Sequence, residues 1–98
     1  MTKVKDIVVR LRQDFPENIA SQGDPVGMQI GSMEADVTKV MTTLDVRPQV
    51  VEEAVEKGVD FIVSHHPVMF RPAQNLDFAN AQNAMYGNII KNGITVYS

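Results

Sequence analysis

His65 and His66 stand side by side at the end of Val59-Asp60-Phe61-Ile62-Val63-Ser64, directly before Pro67. They are the only histidines in a chain without cysteine. Imidazole is the side chain that both titrates near neutral pH and binds transition metals well. The preceding apolar run reads as a buried parallel strand, and open α/β sheets hold their ligands at the exits of such strands. On a regular strand the two rings would point to opposite faces. Pro67 restricts His66 to an extended or polyproline conformation, so the backbone leaves the sheet there and both rings can face the crevice. They could serve one metal ion, or one each of two neighbours. Paired ions roughly 3.5–4 Å apart clamp and activate a bridging water. Two histidines do not complete a site, because zinc takes about four ligands and a catalytic site keeps one position for water. The others would come from carboxylates here, from further sequence, or from another subunit. The plainer alternative is a solvent-facing loop that carries two histidines by chance.

Asp45 ends the apolar stretch before this one and would share the rim of His65. It could bind a metal or hold an imidazole N–H from behind. Its spacing from Pro48 favours a third role, capping the helix that begins there. Asp60 precedes its strand and falls at the opposite end of the sheet, as a turn residue. Gly27 and Gly31 make no dinucleotide fingerprint, since no helix follows them; they read as turn and bulge glycines. Arg71, beside Pro72, could meet a phosphate at the rim, although an exposed arginine is the default. The six methionines are scattered and read as core filler.

Elements to position these residues are legible along the chain. Val4, Ile7, Val8, Leu11 and Phe15 recur at helical spacing, and Pro16 ends that helix near Phe15. A glycine-punctuated turn surrounds a short strand at Val26–Ile30. Lys39–Leu44 reads as a strand, and Val50, Val51, Ala54 and Val55 form one face of a second helix. Pro48 suits its first turn, Glu52 and Glu53 the positive N-terminal half of its dipole, and Gly58 its left-handed stop. Phe61–Val63 is a strand apolar on both faces, as a covered parallel strand should be. Ala81–Lys91 is a third helix, carrying Ala84, Met85, Ile89 and Ile90, with Asn92-Gly93 as its stop; Ile94–Tyr97 is a final strand. The order β-α-β-α-β with short connections predicts an α/β fold with a mostly parallel sheet.

Composition narrows the functional classes. Ninety-eight residues, 44% hydrophobic, suffice for one small domain with a limited core. A net charge of −3 with nine dispersed lysines and arginines argues against a direct grip on nucleic acid or acidic membranes. No signal-like or membrane-spanning apolar run is visible. A chain without disulfides suits a reducing compartment, so the expected location is the cytoplasm. The last strand runs almost to Ser98. A final strand without a following helix leaves apolar surface and an open edge. The expectation is therefore that residues 1–98 are the amino-terminal part of a single domain, truncated at its C-terminal end.

Several segments together resemble a known family. Asp24-Pro25-Val26-Gly27-Met28-Gln29-Ile30-Gly31, Thr43-Leu44-Asp45-Val46, Val50-Val51-Glu52-Glu53-Ala54, Gly58 to Pro67 with its Ser-His-His-Pro, and Ile94-Thr95-Val96-Tyr97-Ser98 are similar, in that order, to the amino-terminal part of the NIF-three-like family. It is also called the GTP cyclohydrolase I type-two-like or dinuclear metal centre family. The resemblance covers essentially the whole chain, and Ser-His-His-Pro is its most specific piece. It implies a three-layer α/β fold and a site for two divalent ions per full-length subunit, zinc or iron, with His65 and His66 as ligands. It also implies a ring-shaped homohexamer and a hydrolase acting on a nucleotide or similar small molecule through a metal-bound hydroxide. The alternative is a non-catalytic module, stabilised by metal, that recruits a protein partner. The family's next ligand, an Asp in a His-Thr-Asn-Leu-Asp segment, would follow Ser98, and a further His and Glu would come near the family's C-terminus. None of these three lies in this chain. The chain also departs from the family's Trp-Asp-Asn-Val-Gly pattern, where it has Gly23-Asp24-Pro25-Val26-Gly27; loss of the Trp removes a packing anchor from that turn.

Overall fold

The computed structural model describes residues 2–14, 27–65 and 75–98. The elements run α1 (Val4–Asp14), β1 (Met28–Ile30), β2 (Val40–Thr43), α2 (Pro48–Glu56), β3 (Phe61–Ser64), α3 (Ala81–Lys91) and β4 (Thr95–Tyr97). The four strands form one sheet in the order β1-β4-β3-β2. β2, β3 and β4 are parallel neighbours, and β1 runs antiparallel beside β4. The sheet is thus mostly parallel, as expected.

Three layers follow from the alternation of side chains along the strands. Ile62 and Val96 face one way, into a cluster with Val51 and Ala54 of α2 and Met85, Tyr86 and Ile89 of α3. Phe61 and Tyr97 face the other way and pack with Val4 and Val8 of α1 and with Val37. Phe61, Ile62 and Val96 are completely buried, as strands covered on both sides require.

The helices form where their stop signals allow. Arg47 is the N-cap of α2, with Pro48 in the first turn, where a missing N–H costs nothing. Asp45 therefore does not cap this helix, since the cap falls two residues later and carries no side-chain bond. Glu52 and Glu53 lie beyond the first turn, which holds no acidic residue; Glu53 pairs instead with Lys57 at 2.9 Å. Val51 and Ala54 are buried but Val55 is exposed, so the apolar face is narrower than its four expected members. In α3, Asn80 caps the first turn by accepting from the N–H groups of Gln82 and Asn83. Its buried face is Asn83, Met85, Tyr86 and Ile89. Ala84 and Ile90 are exposed. Asn83 is tolerated inside because its amide donates to Asn75 Oδ1 and to the Asp77 carbonyl.

β4 also corrects the reasoning from its edge. It is an interior strand between β1 and β3, and all three of its residues are buried. The antiparallel β1 supplies the neighbour that the β-α-β-α-β reading lacked. Gly31, at the end of β1, has φ +108°, and a Cβ there would lie 2.8 Å from Thr95 Cα. Only glycine lets β1 end so close to β4. Phe15, Val26, Arg71 and Pro72 lie outside the described residues.

A candidate metal-binding rim

The C-terminal ends of β2, β3 and β4 share one rim, because their parallel pairing aligns Thr43 with Ser64 and Val63 with Tyr97. His65 is the first residue past β3. Its backbone N–H donates to the Thr43 carbonyl at 3.0 Å, which carries the sheet's bonding one step beyond the strand. The residue is exposed, so a largely buried strand presents a histidine to solvent at the edge where α/β sheets hold ligands. His66 and Pro67 lie outside the described residues.

Asp45 shares this rim, as its place after β2 implied. Its carbonyl accepts from Thr43 Oγ1 at 2.9 Å, and its carboxylate faces the Arg47 guanidinium at 3.5 Å. Asp60 lies at the opposite end, as expected, with more than a turn to hold. Its carboxylate accepts from the Thr38 N–H, the Thr38 hydroxyl and the Lys39 N–H, at 2.9, 2.7 and 3.0 Å. Partial burial pushes this carboxyl up, but those donors outweigh it and hold Asp60 below the usual carboxylate range.

Sequence reasoning missed one pair at the rim. Ser64 Oγ and Ser98 Oγ are 2.7 Å apart, and Ser64 is only 4% exposed. The two serines continue the β3–β4 register by one position, so the ladder ends in a bond between side chains. The signal was the shared serine ending of Phe61-Ile62-Val63-Ser64 and Thr95-Val96-Tyr97-Ser98, which becomes visible once those runs are paired.

A divalent first-row ion suits the donor chemistry of this rim, since neutral imidazole is a good ligand for zinc and iron and His65 is open to solvent. Among the described residues no three or more His, Cys, Asp or Glu side chains converge on one point. A groove of about 320 Å³ between α2 and α3 is lined by Pro48, Val51, Ala81, Ala84 and Met85, among others; His65 is not on its wall.

The class so defined is a three-layer α/β protein with an exposed histidine at its parallel strand ends. The chain belongs to the Duf34/NIF3 (NGG1p interacting factor 3) family, which it matches over residues 2–98. It is similar to a GTP cyclohydrolase 1 type 2 homolog of Listeria innocua, 47% identical over 83 residues, covering 85% of this chain and 22% of the relative. A Lactococcus lactis protein of the same name is 38% identical over 96 residues, covering 98% of this chain and 37% of the relative. The fold matches the crystal structure of a Bacillus cereus protein related to NIF3 with a TM-score of 0.93 and 32% identity, over 98% of this chain and 26% of that one. The chain thus spans well under half the length of these relatives. No helix among the described residues is long and apolar enough to cross a membrane.

Proposed function

We propose that this chain carries part of a dinuclear site for divalent metal, zinc or iron, with His65 and His66 as ligands. In this reading the whole protein is a cytoplasmic hydrolase that acts on a nucleotide or a similar small molecule. The observation that carries it is the place of His65, exposed at the C-terminal rim and tied by its N–H to Thr43. The name GTP cyclohydrolase 1 type 2 homolog, borne by the similar proteins, supports a purine nucleotide as substrate. Bound divalent ions would polarise a substrate oxygen and activate water. The chain's own part is to hold the imidazole. Buried Phe61 and Ile62 anchor β3, Thr43 secures the first residue beyond it, and exposure leaves the ring accessible to ion and substrate. The resemblance to the NIF-three-like family further supports a homohexamer, whose mass light scattering would give.

Elemental analysis tests the reading. The purified protein, as the 98-residue chain and as a form continued past Ser98 to the length of its relatives, is compared with a His65→Ala/His66→Ala variant. Divalent metal is expected in the longer wild type and absent from the variant. No metal in either wild-type form would sink the proposal. Bound metal without turnover of any nucleotide would favour the metal-stabilised interaction module.

A further inference from the structure

We infer that the Ser64–Ser98 hydroxyl pair is a positioning device that holds the histidine-bearing end of β3 and thereby raises divalent-metal affinity at His65. This rests on the metal-binding reading of His65. Backbone pairing between β3 and β4 ends at Val63 and Tyr97. One position further, where parallel strands normally fray, the two hydroxyls meet at 2.7 Å. Ser98 is itself anchored on its far side, giving and receiving backbone bonds with Gly27 at 2.9 and 2.8 Å. The strand end just before the imidazole is therefore clamped from both neighbours. On the β2 side the clamp is the His65 N–H on Thr43; on the β4 side it is the hydroxyl of Ser64. A ligand on an ordered strand end loses less conformational freedom when it binds an ion, and that difference appears as affinity. Ser64 and Ser98 are thus positioning residues, acting through the backbone that carries His65.

Zinc titration against a chromophoric chelator tests this, in whichever form of the protein, the 98-residue chain or the longer one, holds the metal. Ser98→Ala should weaken zinc binding by about tenfold, the lower end of what supporting groups around metal ligands contribute. Ser98→Thr, which keeps the hydroxyl, should bind as wild type does. The Ser64→Ala/Ser98→Ala double variant should weaken binding by less than the two single effects combined, since both single changes remove one shared bond. Asp60→Asn, at the opposite end of the sheet, should lower thermal stability while leaving zinc affinity within about twofold. Wild-type affinity in Ser98→Ala would overturn the inference. So would equal weakening in Ser98→Thr or in Asp60→Asn, because the hydroxyl bond would then not be the cause. If the folded wild type takes up no zinc in either form, the assignment of His65 as a ligand fails as well, a result distinct from all of these.

Discussion

The two ends of the sheet are built in opposite ways. At the N-terminal end, Asp60 gathers three donors from Thr38 and Lys39, its carbonyl accepts from the Thr95 N–H, and Gly31 lies directly against Thr95. Val37, Val59 and Ile94 are buried there. At the C-terminal end Thr43 ties to His65, Ser64 to Ser98, and Ser98 in turn to the Gly27 backbone. Leu44 is 60% exposed and His65 is open to solvent. One end is a closed foundation and the other an accessible rim. A binding site on a sheet needs both, because ligands must stay open to a partner while their backbone is fixed by something that the partner does not disturb.

Substitutions can break this contrast, and the foundation should respond most. Gly31→Ala forces a Cβ onto Thr95 at a φ that L side chains rarely adopt. It should cost about 2–3 kcal/mol, as strained positive-φ positions do, read as a lower urea midpoint. Asp60→Asn should cost about 2 kcal/mol, the scale of hydrogen bonds to a charged group. Its pH dependence sharpens the point. The Asp60 carboxyl is held down in the folded chain, so its stabilisation is complete above its unfolded value of about 3.9. It is lost as pH falls through the lower folded value. The stability difference between wild type and Asp60→Asn should therefore shrink on acidification below about pH 4, as denaturant titrations at several pH values would show. His65→Ala should have the smallest effect on folding, within about 0.5 kcal/mol for an exposed position, and on the proposed reading it abolishes metal uptake. A destabilisation as large as that of Asp60→Asn would mean that the rim is part of the foundation, and the contrast would collapse.

Much of the fold is legible residue by residue. α3 runs from Ala81 to Lys91 as its signals predict, because Asn80 supplies a cap and Asn92-Gly93 a stop within one turn of its ends. α2 begins at Pro48 for the same kind of reason. β3 is recognisable as an unbroken apolar run, and with it the position of His65 at a strand exit. The expected cap role of Asp45 fails by two residues, since where a helix starts depends on how the chain leaves β2. Which side of α3 is covered is not legible, because its apolar residues include Ala84 and Ile90, which stay exposed. Asp60 looks like a turn residue until Thr38 and Lys39 are brought beside it.

The sequence by itself determined α2 and α3, their stops, the buried strand and the place of His65 at its end. Each of these depends on residues within a turn or two of one another. Only the tertiary structure decided that β4 lies inside the sheet with β1 antiparallel beside it, that Asp60 staples the start of β2, and that Ser64 meets Ser98. Those are pairings across roughly 20 to 70 residues, and register between distant strands is set by mutual packing and hydrogen bonding rather than by either strand alone.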